Sequence, residues 1–561
     1  MSACPRPYRL LSAACLVLLS STAAVAATLE PDQILRERQQ QLDQQRQELL
    51  RHPDVVLPPP APVTPRPATT ADTLCFPITQ IELLDAIPAW QTRLAALARQ
   101  DQGQCLGTSR IQALVARLTD DLVAHGFVTS RVYLPEQNLK SGVLRLYVVA
   151  GRVGHLRLKN GGEDPVLAAA FPLTPGAVLN VRDLEQGLEQ LSRAHSQHAT
   201  MEIVPSANAG ESDIVVDLIR DKAWSASLSW DDSGQDSTGK QQGSVTLDRD
   251  NVIGISDVLS LSWSQDSTLL STPRSRSNSV SWLLPYGNWT GMLSYSESAY
   301  VQPVAGVNQT YSAPGHSSNT LLSLSRLLQR DQVGKTELAL QLTRKASRSY
   351  LEDTEIVQQR SDLTLLGMEI SHRRFVGTWT LNGALGYIRG IGGWGAMANT
   401  QEAQGGPTAR EKVYTARLDL STPFAIGTQK GQWSSQFKAQ YTRDLLPGSE
   451  QFSIGSRYTV RGFDGSSLVG QSGYYLRNEA TWLAPPNAHG DSLQLFVGLD
   501  AGQVSDANVP SDARTLSGWA CGLRVALTSG LGLELVHEQA MHQPASWPRP
   551  SITHFRASMT F

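Results

Sequence analysis

Read backwards from its last residue, the chain alternates: Phe561, Met559, Ala557 and Phe555 fall on one face, and Thr560, Ser558, Arg556 and His554 on the other. A period of two marks an extended strand, whose successive side chains point to opposite faces. The alternation recurs through the C-terminal part of the chain. Trp224, Ala226, Leu228 and Trp230 interleave with Ser225, Ser227 and Ser229, and Leu259, Leu261 and Trp263 with Ser260, Ser262 and Ser264. Near the end, Trp519, Cys521, Leu523, Val525 and Leu527 interleave with Gly518, Ala520, Gly522, Arg524 and Ala526. One face is apolar with aromatics towards the strand ends, and the other is small or polar, as a wall between lipid and a wet lumen requires. A soluble sandwich alternates too, so pattern alone does not choose between the two. The aromatic ending, with Phe555, Met559 and Phe561 on the apolar face, reads as the closing strand of a transmembrane β-barrel.

Length and composition strengthen the barrel reading. Residues 221–561 accommodate about 14 to 18 spans of roughly 10 residues with their turns and loops. Charged residues make up 18% of the chain and the net charge is -3, which gives no reason to propose nucleic acid as a partner. No apolar run is long enough for a transmembrane helix after the N-terminus. At the N-terminus, Arg6 and Arg9 precede the apolar stretch from Leu10 to Leu19, and Ala24-Val25-Ala26 supplies small residues at cleavage-site spacing. Residues 1–26 therefore read as a secretory signal. Cys15 lies within its apolar core and reads as part of it, not as a lipidation site. Three cysteines remain after it: Cys75 and Cys105, expected to form a disulfide in an exported domain, and Cys521, expected to pack as a small apolar side chain. His195 and His198 sit three apart on an expected helix, without a third ligand nearby, and read as surface residues rather than a metal site.

Between signal and barrel lie four pieces. Residues 28–52 read as a helix rich in Gln, Arg, Glu and Asp whose only apolar stripe is Leu35, Leu42 and Leu49. That stripe is too thin for a core helix. At about 1.5 Å per residue the helix is long enough to run through a barrel whose apolar band is roughly 25 Å tall, and its polar surface suits a polar lumen. A short coiled coil or a surface helix fits the same pattern. Residues 53–72, containing Pro58-Pro59-Pro60, read as an extended, movable tether. Residues 73–150 carry strand signals near Ile78–Leu83, Val128–Tyr133 and Val143–Val149 and a helix over Ser109–His125. Residues 151–220 repeat the plan, with strands at His155–Lys159, Ala199–Val204 and Asp213–Ile219 and a helix over Val181–His195. Two small α+β modules follow from this, each presenting sheet edges with which an extended chain can pair.

This order resembles the two-partner secretion transporters of the outer membrane, the hemolysin secretion/activation and filamentous-hemagglutinin exporter (TpsB type) branch of the Omp85 superfamily. The modules then resemble POTRA domains. The first carries Tyr133-Leu134-Pro135-Glu136-Gln137, Gly142 and the stretch Val149 to Val153; the second carries Pro175-Gly176, Leu179-Asn180 and Asp183-Leu184-Glu185. Val460-Arg461-Gly462-Phe463 resembles the signature at the tip of the family's longest inward-folded loop. Gly473-Tyr474-Tyr475-Leu476-Arg477-Asn478-Glu479 resembles the strand after that loop, and Phe496, Asp500 and Gly502 the strand that receives the tip. The resemblance implies a 16-stranded transmembrane β-barrel at residues 221–561, POTRA domains at 73–150 and 151–220, and a plug helix at 28–52.

The residues themselves point the same way. With Leu493, Leu495, Val497 and Leu499 on the lipid face, Phe496, Gly498, Asp500 and Gly502 face the lumen. A carboxylate in a confined lumen needs a partner, and Arg461, beside the flexible Gly462, offers a planar fork that binds it through two hydrogen bonds. Phe463 is expected to stack on Phe496. The functional expectation is a monomeric pore, embedded in outer-membrane lipid with its POTRA domains in the periplasm, that binds a large partner protein in unfolded form, exports it and in some family members activates it. The partner is of the cytolysin, adhesin or contact-dependent toxin kind. The alternative is an assembly factor or insertase of the same superfamily, acting through the seam between first and last strands. A simple diffusion porin has no reason to carry the two modules. Neither a catalytic triad, a phosphate loop nor a metal cluster is recognisable, so neither enzyme activity nor a cofactor is expected.

Overall fold

The computed structural model describes residues 31–51, 54–57, 74–161, 164–267, 274–399, 402, 405–485, 487, 489–506, 509–549 and 551–561. The expected signal and most of the Pro-rich tether lie outside the described residues. Among the described residues, sixteen antiparallel strands close into a barrel, from Trp224–Asp231 to Ser551–Thr560. Closure runs through five residue pairs, Arg556 with Asp231 to Thr560 with Ser227, and the Phe561 amide extends it by donating to the Ala226 carbonyl at 2.9 Å.

The wall follows the period-two pattern. Along Ser492–Asp506, Leu495 and Leu499 are 51% and 58% exposed to the bilayer side, while Phe496 and Asp500, each the next residue in the chain, are 2% and 3% exposed. Trp224, Trp230 and Trp263 stand on the outer face. At the seam, Phe555 meets Trp230 edge-on, with ring centroids 4.7 Å apart, and Met559 sits opposite Leu228. The last strand thus presents its aromatic face to lipid, where burial of apolar surface stabilises the closed cylinder.

Two small α+β modules precede the barrel. In the first, β1 (Cys75–Ile78) pairs with β3 (Gln104–Gly107), and β2 (Gln80–Leu84), β5 (Val143–Val149) and β4 (Arg131–Tyr133) form a second small sheet, with α2 (Pro88–Ala98) and α3 (Thr108–Ala124) packed against the sheets. A disulfide joins Cys75 to Cys105 across β1 and β3. In the second module, β6 (Arg152–Leu158), β8 (Glu211–Arg220) and β7 (Gln197–Pro205) form the sheet, covered by α4 (Pro165–Ala170) and α5 (Val181–Leu191). Helices α2 and α4 were absent from the sequence expectation; both begin at a proline, which suits a first helical turn.

The expected helix over Val181–His195 is corrected: α5 stops at Leu191 with Ser192 as its C-cap. His195 consequently lies in a turn and His198 in β7, where its Nε2 is 3.3 Å from Asp221 Oδ2, so the two histidines share no helix face. The strand expected from Val128 begins only at Arg131, because residues 128–130 turn from α3 into the sheet.

The second module is joined to the barrel mouth by polar contacts. The turn at Gly287 receives hydrogen bonds on its carbonyl from Gln186 and Gln190, at 3.0 and 2.6 Å, and its amide donates to the Ala169 carbonyl at 2.7 Å. Asp250 Oδ2 accepts from the Ser196 amide at 2.7 Å. The face of α5 carrying Glu185, Gln186, Glu189 and Gln190 is therefore buried, although its composition is that of a solvated surface.

Candidate functional site: an arginine clamp inside a plugged lumen

Helix α1 (Pro31–Leu50) occupies the lumen. Its surface is mostly amide and charge, and the wall it faces is similar, so hydrogen bonds hold it in place of an apolar core. Gln39 Oε1 accepts from Asn319 Nδ2 at 2.9 Å, and Glu37 accepts from Gln235. Leu35 and Leu42 face one side of the barrel near Ser296 and Asn319. Leu49 packs on Val258, Leu283 and Met292 of the wall and Ala194 of the second module. The helix is oriented: Arg36, near its start, donates to the Gly448 carbonyl at 2.7 Å on the loop that folds inward, whereas Leu49 lies at the opposite mouth, beside the second module.

The segment between the strands Gln429–Thr442 and Ser472–Leu483 folds back into the barrel. A short hairpin, Phe452–Ile454 against Leu468–Gly470, stiffens it, and Phe452, Ile454, Val460, Phe463 and Leu468 bury themselves against Tyr475, Val504 and Leu516 of the wall. At the tip Arg461 is 1% exposed. Its Nε donates to Asp500 Oδ2 at 2.6 Å and its Nη2 to Oδ1 at 2.9 Å, while its own amide donates to Oδ2 at 3.1 Å. The remaining guanidinium donors reach Glu479 Oε2 at 2.9 Å and the Asn478 carbonyl at 3.1 Å. A buried guanidinium is stable only when its fork is filled in this way.

Backbone shape is part of the clamp. Gly462 has φ +99°, a left-handed conformation that side chains resist, and its amide donates to Glu538 Oε2 at 3.0 Å. Gly498 and Gly518 open the wall: a Cβ at Gly498 would stand 2.0 Å from Arg461 Nη2, and one at Gly518 would stand 2.0 Å from the Arg461 carbonyl oxygen. A second ionic layer backs the first. Arg524 donates to Glu479 at 2.7 Å and Glu534 at 2.9 Å, and its guanidinium lies 4.0 Å from the centre of the Phe496 ring.

The structure thus brings Val460, Arg461, Gly462, Phe496, Asp500 and Gly502 to one place, with a Cβ at Gly502 falling 3.0 Å from Val460 Cγ2. The expected stacking of Phe463 on Phe496 is corrected. Phe463 meets Trp547 instead, with ring centroids 6.1 Å apart, because the Arg524 guanidinium already covers Phe496. Glu479 and Glu538 as clamp partners, and the space that Gly498 and Gly518 leave for Arg461, escaped the sequence reading. Glycines recurring on the lumen face of two adjacent strands were the one available signal.

The loop is further tied to both ends of the barrel wall and to the helix. Arg457 donates to the Asp232 carbonyl at 2.6 Å and meets His554 at 2.9 Å, bridging residues beside the first and last strands. Gln40 of α1 donates to Ser453 at 3.0 Å and accepts from Ser456 at 2.9 Å.

A barrel whose lumen holds a helix and a clamped loop, with two small α+β modules at its mouth, defines the class of outer-membrane transporters of polypeptides. The family described as haemolysin secretion/activation protein ShlB/FhaC/HecB matches residues 210–525, a ShlB-type POTRA domain matches 76–151, and a further POTRA domain matches 152–205. The outer membrane transporter CdiB-2 of Burkholderia pseudomallei (strain 1026b) is 34% identical over 554 residues, covering 94% of each chain. The hemolysin transporter protein ShlB of Serratia marcescens is 28% identical over 528 residues, covering 90% of this chain and 92% of its own. The solved structure of CdiB from Escherichia coli superposes with a TM-score of 0.85 at 27% identity, over 96% of this chain and all of that one. The chain belongs to the haemolysin secretion/activation family. It is an outer-membrane β-barrel transporter of two-partner secretion with periplasmic POTRA domains.

Proposed function

We propose that the POTRA domains take up a large partner polypeptide unfolded, by adding it as a strand to an exposed sheet edge, and that a single chain in the outer-membrane lipid passes it through its own lumen once α1 has withdrawn. β4 and β2 flank β5 as the edges of their sheet, and Tyr133, Leu134, Tyr147 and Val149 are exposed beside them, a combination suited to backbone pairing with apolar side-chain anchoring. Directionality comes from the partner folding outside, and the chain's contribution is a path, not catalysis.

The observation that carries the gate is the Arg461 clamp. Two carboxylates and a carbonyl hold one guanidinium at the inner wall, and the loop they hold contacts α1. Removing either partner leaves a buried charge uncompensated, at about 3–5 kcal/mol. Arg461→Ala and Asp500→Ala are expected to lower secretion of the partner at least tenfold while the barrel still assembles, as read from secreted partner in the medium and heat-modifiable electrophoretic mobility of the barrel. Secretion at the native level by both variants would remove the clamp from the mechanism.

A further inference from the structure

On the outside of the barrel, three consecutive strands carry two matched rows of side chains at the end away from the POTRA domains. The strands Trp379–Gly390, Lys412–Ile426 and Gln429–Thr442 pair in order, and their register sets Tyr387 opposite Tyr414 and Tyr414 opposite Tyr441. The rings follow one another along the wall, with centroids 5.2 and 6.5 Å apart, and Tyr414 and Tyr441 are 54% and 51% exposed. One step further out, the same register sets Arg389 opposite Lys412, and carried one residue past the strand it sets Arg443 against Lys412 from the other side. All three cations are exposed, and alternation places them on the face that carries Leu385 and Leu418, which is the lipid side. This end of the barrel is the extracellular one, because the second POTRA domain is held at the Gly287 turn, on the end where the short turns at Gly377 and Gly427 also lie.

Like charges set opposite one another in a sheet repel. Opposed residues stand about 5 Å apart, so three cations share roughly 10 Å of the rim. The chain gives them no counter-charge: among the described residues none of the three has an ion-pair partner. The acids beside them in sequence are engaged elsewhere, Glu411 being only 1% exposed and Asp444 Oδ2 accepting from the Lys412 amide at 2.7 Å. Arg443 Nε donates to the Tyr441 hydroxyl at 3.0 Å, which holds that guanidinium over the tyrosine row. Neighbouring sectors of the rim are built differently. On Gly334–Leu351, Arg344 and Arg348 share the carboxylate of Asp362, at 2.7 and 2.6 Å. On Ser472–Leu483 and Ser492–Asp506 the outward positions at this end are Ser472, Gln503 and Ser505. An unneutralised row confined to one sector, directly above an aromatic band, fits an anion that the bilayer supplies.

We propose that Arg389, Lys412 and Arg443 bind the phosphorylated headgroup of an outer-leaflet glycolipid of the lipid A class, with Tyr387, Tyr414 and Tyr441 lying along its sugars and upper acyl chains. The two guanidinium groups supply paired, charge-assisted hydrogen bonds to phosphate oxygens and the lysine a point charge between them. Tyrosine suits the level below, where one end of the side chain meets hydrocarbon and the other meets water. The length of the row suits a headgroup that carries more than one phosphate. The cations stand on the bilayer face rather than over the lumen, so a polypeptide leaving the pore does not meet them. The site also adjoins the root of the inward loop: Thr442 Oγ1 donates to the Lys412 carbonyl at 2.8 Å and accepts from the Asp444 amide at 3.0 Å. A lipid bridging these strands steadies the point from which the loop carrying Arg461 departs. The inference stands apart from the withdrawal of α1 and needs only the barrel in its membrane.

The test uses the full chain, purified in detergent and stripped of glycolipid, with three probes: diphosphorylated lipid A, the same lipid with its phosphates removed, and inorganic phosphate. Affinity is read from lipid adducts by native mass spectrometry. The diphosphorylated lipid is expected to bind at least tenfold more tightly than the dephosphorylated one, and excess inorganic phosphate is expected to leave it bound. Arg389→Gln, Lys412→Gln and Arg443→Gln together are expected to remove the preference. Arg249→Gln with Arg326→Gln is expected to keep it, since these arginines lie at the opposite rim, each 5.0 Å from the centre of a tryptophan ring. Equal binding of the two lipids to the native chain overturns the proposal without recourse to any variant. So does a triple variant that has native heat-modifiable mobility and the native preference. If the triple variant does not assemble, Lys412→Gln alone is expected to lower the affinity several-fold, and an unchanged affinity overturns the proposal. Release of the lipid by inorganic phosphate would make this a phosphate site and sink the lipid assignment. Lost secretion with undiminished lipid binding in the variant would assign the row to the passenger instead, whereas native secretion with lost lipid binding supports the site and leaves the export reading untouched.

Discussion

At the scale of single residues, the clamp depends as much on missing side chains as on charged ones. Arg461 fills space that Gly498 and Gly518 leave open, so a methyl group at either position competes with the guanidinium or its backbone. Gly498→Ala is expected to displace Arg461 from Asp500 and to reproduce the secretion loss of Arg461→Ala, with increased proteolysis within residues 457–465. Native secretion by Gly498→Ala would show that the wall can yield and that the fit is not required. Asp500 and Arg461 were legible in the sequence because a lumen-facing carboxylate demands a cation and a loop arginine stood at motif distance. Glu479 and Glu538 were not, since a polar residue on a lumen face looks the same whether or not a loop descends onto it. The stacking of Phe463 could not be foreseen either: its partner Trp547 comes from a loop before the last strand, and Phe496 was taken by Arg524.

At the scale of elements, the barrel strands were readable because lipid and lumen impose opposite chemistry on every second residue. Helix α5 was readable in position but not in setting. Its Glu185, Gln186, Glu189 and Gln190 match carbonyls and cations that arrive from distant turns of the barrel, and nothing local distinguishes that from solvation. One acid on this helix carries a pH signature. Burial pushes the Asp183 carboxyl up to about 6, above an unfolded value near 3.9. The folded helix then holds the proton more tightly than the unfolded chain does, so stability is greatest below about pH 4 and falls as pH rises through 4 to 6. Asp183→Asn is expected to abolish that decline and to strengthen protection of Val181–Leu191 at pH 7 by on the order of 1–2 kcal/mol. Amide hydrogen exchange of the full chain at pH 4.5 and 7, corrected for intrinsic rates, measures it. An unchanged pH dependence in the variant would assign the decline to other groups. For α1 the sequence offered length, polarity and a thin leucine stripe, which fit a coiled coil equally well. Only the match between its amides and those of the lumen, such as Gln39 with Asn319, separates the two.

At the scale of the whole molecule, three sets of contacts fill the lumen and its mouth: hydrogen bonds along α1, the inward loop on its arginine, and the segment from Asp54 to Leu57. Removing residues 28–52 is expected to raise single-channel conductance in planar bilayers several-fold, because the lumen loses an obstruction of about 10 Å diameter. An unaltered conductance would mean that the helix does not limit the channel. The domain order was legible from composition, with its proline-rich break and two repeats of one plan. The way the second POTRA domain is fixed to the barrel was not, because it rests on turns such as Gly287, whose exposed carbonyls leave no trace in a sequence.

The polarity of α1 has one further consequence. Its beginning rests beside Gly448 on the cell-surface side and its end lies at the periplasmic mouth. On the proposed withdrawal of α1, retreat is tail-first, and the foremost turn travels the full thickness of the wall before the duct is free. On that reading the stopper is drawn from inside, by the compartment in which the passenger waits, rather than pushed out into the environment.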